Sequence, residues 1–390
     1  MSRWPVYDPA TIAAVAGVLR SGRVNALHHG DRCAAFEQAF ARICRQPHAI
    51  AVANGTLALE LALRALQIGV GDEVIVPARS FMATASCVMA CGATPVFADV
   101  DPVSQGLDAC SVAHCLSPRT RAVIVVHLGG YPCAVDDIAT LARDVGIALV
   151  EDCAQAHGAT LHGRPVGSFG DAAAFSFCTD KIISTGGEGG MLVLRDAAVA
   201  DRAWSWKDHG KDRRSVGAVH EGHGFRWLHG HFGSNYRLTE MQAAIGLCQL
   251  DQLDDWIARR RANAAVLLST LRAQPALRLI EPAPGIGNAY YKFYAFVRPE
   301  RLRPGWNRDE IIEACNARGV PCQAGTCPEI YLEAAFVKAG IGPRARLPIA
   351  LELGMTSLCL PVDPTLDHGD CVRMGEVLAG VVHRATDHAR

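Results

Sequence analysis

The sequence carries almost no net charge and few aromatic side chains, and both deficits exclude classes of binding protein. Its 390 residues include 38 Lys plus Arg against 39 Asp plus Glu, a formal net charge of −1, and 6% aromatic residues. Proteins that attract nucleic acids or anionic membranes need an excess of positive charge, and platforms for single strands need stacking aromatics. We therefore expect neither a nucleic-acid nor a membrane partner.

Long apolar runs and targeting signals are also missing. There is no run of about 18 uncharged apolar residues, the length that a membrane-spanning helix needs. The first eight residues, Met-Ser-Arg-Trp-Pro-Val-Tyr-Asp, lack the basic stretch and the apolar core of a signal peptide. These features predict a soluble protein of the cytoplasm.

Several metal-binding and catalytic motifs are absent as well. The 15 cysteines form no Cys-x-x-Cys pair, and most lie singly in apolar runs, so we interpret them as reduced structural residues. His220, His223, His229 and His231 share no helical face, which favours a solvated loop over a metal site. No Gly-x-Gly-x-x-Gly follows the first predicted strand, and neither Gly-x-Ser-x-Gly nor His-Glu-x-x-His occurs. We expect no metal.

Short β-branched runs alternate with amphipathic stretches over the first half of the chain. Strands are predicted at 48–53, 73–77, 95–99, 122–127, 148–152, 172–177 and 191–194. Helices are predicted between them at 56–67, 82–91, 108–115 and 136–145. This alternation is typical of an α/β fold with a mostly parallel sheet that is covered by helices. The carboxyl ends of such strands are where a ligand binds.

The rhythm changes after residue 206. Residues 207–232 show no periodicity, and Thr239 then caps a long helix that is predicted to run to about residue 271, with a possible kink. A strand at 290–297 and a helix at 308–318 follow. We predict a large domain over residues 1–255, which includes an N-terminal helical segment, and a smaller α+β domain over residues 256–390.

Polar residues stand at the ends of three predicted strands. Asn54-Gly55-Thr56 joins a strand to a helix, where unpaired N–H groups suit a phosphate, although Thr56 could simply cap the helix. Asp152 ends an apolar strand, where a buried carboxylate needs a cationic partner unless it is only a helix cap. Lys181 follows a buried strand and precedes a glycine-rich turn; it is either a desolvated Schiff-base lysine or an ordinary surface lysine.

Together these residues match the three groups through which proteins bind pyridoxal 5′-phosphate. That cofactor needs an anion site for its phosphate, a carboxylate for its ring nitrogen, and an amine for its aldehyde. Phe81, which follows another strand, is placed to stack on the cofactor ring or else is a core aromatic. The sequence therefore predicts a pyridoxal-phosphate enzyme.

The sequence resembles the DegT/DnrJ/EryC1/StrS sugar aminotransferases, which belong to the fold-type I pyridoxal-phosphate enzymes. The resemblance is dense over residues 20–260 and looser beyond. Five blocks in the family's order carry it: Asn54-Gly-Thr-Leu-Ala-Leu, Val76-Pro…Ser80-Phe-Met-Ala-Thr84, Glu151-Asp…Gln155-Ala-His-Gly158, Phe175-Ser-Phe…Lys181…Gly187-Glu-Gly-Gly190 and Gly233-Ser-Asn-Tyr-Arg-Leu-Thr-Glu-Met-Gln-Ala243. It implies a seven-stranded, mostly parallel sheet in the large domain.

The resemblance also implies a role for each matching residue. Lys181 is similar to the Schiff-base lysine and proton shuttle, and Asp152 to the partner of the ring nitrogen. Gln155 is expected beside the ring hydroxyl. The expected phosphate ligands are Gly55, Thr56, Ser176 and, from the neighbouring subunit, Asn235. This last role implies a homodimer with sites at the interface.

We expect amino transfer, with glutamate as the implied donor, to a nucleotide-linked keto-sugar of the 4-keto-6-deoxy type, in amino-sugar or surface-polysaccharide biosynthesis. Arg237 is a candidate for binding anionic substrate groups. Trp206 and His209, with Trp227, are candidates for the wall of the sugar-nucleotide site. Asp180 before the lysine and residues 319–328 depart from the family pattern. A dehydratase or lyase of the same fold, or a non-catalytic cofactor-binding regulator, are the alternatives.

Overall fold

The structure is a computed structural model, and it describes residues 2–26, 30–213 and 228–386. Its strands are β1 His48–Val52, β2 Glu73–Pro77, β3 Thr94–Ala98, β4 Thr120–Val126, β5 Ala148–Asp152, β6 Thr160–Leu161, β7 Arg164–Pro165, β8 Ala172–Ser176, β9 Gly190–Leu194, β10 Leu277–Leu279, β11 Ile286–Gly287, β12 Phe293–Val297 and β13 Ser357–Leu360. Its α-helices are α1 Pro9–Ser21, α2 Arg32–Ile43, α3 Gly55–Ala65, α4 Ala83–Ala90, α5 Ala109–Cys115, α6 Val135–Val145, α7 Ala197–Lys207, α8 Glu240–Leu250, α9 Leu253–Leu271, α10 Arg308–Asn316, α11 Ala334–Ala339, α12 Pro348–Thr356 and α13 His368–Ala385.

The largest sheet has seven strands in the order β1-β9-β8-β5-β4-β2-β3. Neighbouring strands are parallel from β8 to β3, whereas β9 runs antiparallel to both β1 and β8. All seven predicted strands lie in this sheet, and their ends differ from the prediction by at most two residues. The predicted fold class, a mostly parallel seven-stranded sheet covered by helices, is confirmed.

The sheet is covered on both faces, which explains why its strands read as continuous apolar runs. All five residues of β2, β8 and β9 are buried, as parallel sheets between helix layers require. Helix α3 lies on one face and buries seven of its eleven residues, whereas α6 buries only Val135, Ile138 and Ala142. The carboxyl ends of the parallel strands therefore open at one edge, between these layers.

The C-terminal part builds a second core around the antiparallel sheet β10-β12-β13. The predicted long helix is two helices, because the chain breaks at Asp251-Gln252 between α8 and α9. Helix α9 joins the cores: Trp256 contacts the edge-on ring of Trp4, and Ile257 belongs to the core of the large sheet, whereas Leu267 belongs to the second core. Since α9 spans both, the boundary at residues 255–256 falls in its first turn, and we retain it as a proposal.

No helix within the described ranges is both long enough and apolar enough to cross a membrane.

Candidate active site

The phosphate cradle predicted around residues 54–56 forms where α3 begins beside the end of β8. Asn54 caps the helix, accepting from Leu57 N–H at 2.9 Å, so the interpretation of Thr56 as the cap is wrong. Gly55 lies against Ser176: a Cβ at residue 55 would stand 2.7 Å from the Ser176 Cβ. Thr56 is exposed at the same helix end. The N–H groups of the first helical turn and the Ser176 hydroxyl thus lie close together, an arrangement that suits an anion.

Asp152 ends β5 and is 6% exposed. Its carboxylate accepts from Thr84 Oγ1 at 2.9 Å and from Ala154 N–H at 3.1 Å. Burial is the largest influence on its pKa and raises it, while these bonds and the charge of Lys181 act in the opposite direction. Within the described chain this buried carboxylate forms no ion pair, so it lacks the cationic partner that such a group requires.

Lys181 lies within electrostatic reach of Asp152, as the influence of its charge on the carboxyl pKa indicates. Its side chain is 17% exposed, and Nζ is 3.6 Å from Asp180 Oδ1 and 4.9 Å from the ring centre of Tyr291. Tyr291 donates a hydrogen bond from its hydroxyl to Asp180. Burial raises the pKa of Tyr291 far above its usual range, so it remains a neutral donor. The lysine is therefore flanked by one carboxylate and one aromatic ring.

Gln155 and Phe81 complete the set that the sequence predicts around the cofactor ring. Gln155 Oε1 accepts from Gly129 N–H at 2.8 Å, which ties the turn after β5 to the turn after β4. Phe81 follows β2 and is 66% exposed, so it is not the core aromatic of the alternative interpretation. An exposed ring at the ligand-binding edge of the sheet is available for stacking. No finding tests the cofactor roles of these residues, which stay predictions.

Two supporting residues beneath the site were not singled out from the sequence. The ring of His127, at the end of β4, donates from Nε2 to Glu151 over 3.1 Å, because its Nδ1 accepts from Cys133 N–H. Glu151 also accepts three backbone N–H bonds from residues 167, 169 and 170. His127, Glu151 and Cys153 have atoms close enough to hold a metal ion. We interpret them as a hydrogen-bonded support instead, because the Glu151 oxygens are already occupied.

Among the residues predicted to bind substrate, Arg237 has its backbone paired with that of Val52, at the end of the strand that leads to the cradle. Arg237 donates to the buried carboxylate of Asp208 at 2.6 Å, and Asn235 is exposed on the same segment. Trp206 lies under the guanidinium of Arg64, toward the C-terminal end of α3 and thus away from the cradle at its N-terminus. His209 is exposed and its carbonyl accepts from His229. Trp227, like His220 and His223, lies outside the described residues.

The residues at the sheet edge fit pyridoxal phosphate on the chemistry of their donors. The close approach of Gly55 to Ser176 leaves backbone N–H groups and a hydroxyl for a phosphate. Asp152, buried without a cation, has the chemistry to pair with a protonated ring nitrogen. Lys181 would supply the amine, and both roles stay predictions. The fold and this site define a class of enzyme, the fold-type I enzymes that depend on pyridoxal phosphate.

Comparisons with known proteins give the family. A profile of the DegT/DnrJ/EryC1/StrS aminotransferase family matches residues 6–379. An aminotransferase from Psychrobacter cryohalolentis, solved by X-ray crystallography, has a TM-score of 0.95 and 44% identity, covering 98% of this chain and 99% of that chain. The chain is 37% identical to dTDP-3-amino-3,4,6-trideoxy-alpha-D-glucose transaminase of Streptomyces venezuelae, over 93% of this chain and 90% of that protein.

A further relative has a different named substrate. L-glutamine:2-deoxy-scyllo-inosose aminotransferase of Streptomyces paromomycinus is 40% identical over 76% of this chain and 70% of its own length. The chain belongs to the DegT/DnrJ/EryC1/StrS aminotransferase family. The predicted family, enzyme class and pyridoxal-phosphate cofactor are thereby confirmed.

Proposed function

We propose that this aminotransferase takes an amino group from glutamate and transfers it to the ketone of a nucleotide-linked sugar, of the 4-keto-6-deoxy type, for amino-sugar or surface-polysaccharide biosynthesis. The observation that carries the proposal is the convergence of Lys181, the unpaired carboxylate of Asp152 and the cradle between Gly55 and Ser176 at one edge of the sheet. The similarity to a transaminase named for a dTDP-linked amino-sugar supports a nucleotide-linked sugar as the acceptor.

Each residue of the site has a distinct task in this proposal. The N–H groups at the start of α3 and the hydroxyls of Thr56 and Ser176 bind the phosphate of the cofactor. Asp152 keeps the ring nitrogen protonated, and the bound cofactor then supplies an electron sink for the carbon that loses its proton. Lys181 Nζ removes the proton from Cα of the amino donor and later returns a proton at the sugar carbon. Phe81 holds the ring plane.

We also propose a homodimer whose sites lie at the interface. Asn235 is exposed and its backbone pairs with that of Asp208; its Oδ1 accepts from Arg237 N–H at 3.4 Å, which leaves the amide nitrogen of the side chain to reach a second copy. Phe81 and Phe232, 66% and 94% exposed, are apolar surface that a second copy would cover. Mixing a Lys181→Ala subunit with an Asn235→Ala subunit tests this: restored activity in the mixture requires that each site draws on both chains.

One incubation tests the reaction itself. Purified protein loaded with pyridoxal phosphate is mixed with glutamate, and conversion to the pyridoxamine form is followed by absorbance. Keto-sugar nucleotides bearing UDP, GDP or dTDP are then screened by mass for the gain of an amino group. Borohydride treatment of the resting holoenzyme should label Lys181 in a peptide map. An unlabelled Lys181 would remove the basis of the proposal.

There is one specific alternative for the acceptor and one for the amino donor. The relative from Streptomyces paromomycinus is named for glutamine and a cyclitol ketone, so the same screen includes glutamine and 2-deoxy-scyllo-inosose. Elimination of water or ammonia from the sugar without a stoichiometric amino donor would instead indicate a dehydratase or lyase. Absence of turnover with every pair, in a holoenzyme that has a labelled lysine, would favour a cofactor-binding regulator.

A further inference from the structure

A cavity of about 120 Å³ lies beside the cofactor lysine, where the C-terminal part of the chain meets the large sheet. Asp180 and Tyr291 line it, and both contact Lys181 Nζ. The remaining lining residues are Ser2, Trp4, Thr179, Arg260, Lys292, Pro361, Val362 and Asp363. A cavity of this size holds several water molecules or a carboxylate group with part of a carbon chain.

Arg260 lines this cavity, and only one of the three nitrogens of its guanidinium has a hydrogen-bond partner in the described chain. It is 1% exposed, and its Nη1 donates to the carbonyls of Tyr290 and Tyr291 at 3.3 Å. Its Nε and Nη2 have no partner among the described residues. Those two nitrogens form one edge of the guanidinium, the edge that matches the two oxygens of a carboxylate. A buried donor pair of this kind is costly to leave unfilled.

Two cationic side chains that line the cavity, Arg260 and Lys292, are placed to bind an anion. Lys292 has no carboxylate within 4.0 Å in the described chain; its Nζ is 5.3 Å from the ring centre of Tyr291. The two acids that line the cavity each accept hydrogen bonds from other residues, although the charge of Asp363 acts on Arg260 and that of Lys292 acts on Asp180. Asp180 binds Tyr291 and Lys181, and Asp363 accepts from Thr365. Neither forms an ion pair with Arg260 within the part of the chain that the structure describes.

Trp4 contacts both the guanidinium of Arg260 and the backbone of Lys181. Its ring lies 5.2 Å from the Arg260 Cζ, and its Nε1 donates to the Lys181 carbonyl at 2.8 Å. Because one rigid side chain contacts both residues, Arg260 is positioned relative to the backbone of Lys181, whose amine is 3.6 Å from Asp180, another residue that lines the cavity. A substrate that carries an amine at one end and a carboxylate at the other could therefore engage both.

We propose that the cavity binds the side-chain carboxylate of a dicarboxylic amino donor, through the Nε–Nη2 edge of Arg260 and the ammonium of Lys292. The inference rests on the proposed transamination, because it assigns the donor of that reaction. Lys181 itself does not line the cavity, so the carboxylate that reaches Arg260 is the one remote from the reacting amine. The site thus selects glutamate over amino acids with uncharged side chains.

The test compares donors in the first half-reaction of the holoenzyme. Arg260→Gln and Lys292→Gln should each raise the KM for glutamate about 10- to 100-fold, the range for loss of a charged hydrogen bond, and leave the rate with alanine unchanged. Arg259→Gln, an exposed arginine on the same helix, is the matched control and should behave as wild type. Glutarate, which lacks the amine, should bind the holoenzyme in calorimetry and lose affinity in the same two variants.

Two outcomes would overturn the site. One is an unchanged KM for glutamate in both variants; the other is equal glutarate affinity in wild type and Lys292→Gln. Circular dichroism checks folding, and if Arg260→Gln does not fold, Lys292→Gln decides alone. Failure of the proposed function looks different, because the wild-type holoenzyme would then convert no amino donor at all. The keto-sugar half-reaction, started from the pyridoxamine form, should be equal in all folded variants.

Discussion

The guanidinium of Arg237 donates to the carboxylate of Asp208 over 2.6 Å, and the Asp208 side chain is 1% exposed. Lys211 Nζ approaches the same oxygen at 3.3 Å. This arrangement places an arginine predicted to bind substrate in a buried ion pair. We expect Arg237→Ala to lower the free energy of unfolding by about 3 kcal/mol, because it leaves a buried carboxylate with only the lysine.

Urea denaturation of the Arg237→Ala apoenzyme measures that loss. Arg23 is an exposed residue between α1 and α2, and Arg23→Ala serves as the control for loss of a positive charge. A purely substrate-binding role for Arg237 would show the reverse pattern: wild-type stability, within about 0.5 kcal/mol as for surface changes, combined with weaker substrate binding.

Gly55→Ala should weaken cofactor binding. The added methyl would meet the Ser176 Cβ at 2.7 Å, so the start of α3 or the end of β8 must shift, at a cost of about 1–3 kcal/mol for overpacking. Since the phosphate cradle lies between them, the Kd for pyridoxal phosphate, titrated by absorbance, should rise at least about tenfold. Gly17→Ala in α1, where nothing lies within 4 Å, should leave this Kd unchanged.

Asp152→Asn should stabilise the apoenzyme and disable the holoenzyme. Burial raises the pKa of Asp152, so the wild-type apoprotein loses stability relative to the variant as pH rises from the unfolded pKa of about 3.9 to the folded pKa. Below that window the two should be equal. Urea midpoints between pH 3 and 8 check this sign.

The holoenzyme supplies the second readout for the carboxylate. Cofactor-induced gain in Tm should shrink in Asp152→Asn, and turnover should fall about 10²- to 10³-fold, the scale of other electrostatic deletions. Parent-like turnover would show that the carboxylate does not serve the ring nitrogen.

His157→Phe should remove part of the acid sensitivity of the fold. The ring is 1% exposed among Phe40, Phe175 and Phe177; burial first, and then the charges of Lys181 and Arg260, lower its pKa to about 3. A depressed folded pKa means that the stabilisation is present above the unfolded pKa of about 6.5 and is lost as pH falls toward 3. Wild type should therefore lose about 1.4 kcal/mol per pH unit relative to the variant, and parallel stability curves would contradict it.

The strands and the residues that follow them could be predicted because their signals are local in the sequence. The seven strands read as buried β-branched runs, and Asn54, Asp152 and Lys181 follow strands whose carboxyl ends must meet in a parallel sheet. Pairings between distant segments left no such signal. Thr84 binds Asp152 across 68 positions, and Tyr291 binds Asp180 across 111, so neither partner could be assigned from spacing alone.

Other features depend on packing that the sequence does not show. Trp206 and His209 border an aperiodic stretch, and their substrate-binding role stays a prediction; α7 places Trp206 beside Arg64, near the C-terminal end of α3. The possible kink in the predicted long helix is a complete break at Asp251-Gln252, and its position could not be predicted because both flanking segments have helical periodicity.

Helix α9 gives the molecule a mechanical property. Its first turns carry Leu253 and Ile257 into the core of the large sheet, and its later turns carry Leu267 and Leu271 into the other core. Because one continuous helix is packed into both cores, we expect neither core to unfold while the other stays folded. Heating should accordingly melt the whole chain in a single calorimetric transition, with equal calorimetric and van't Hoff enthalpies.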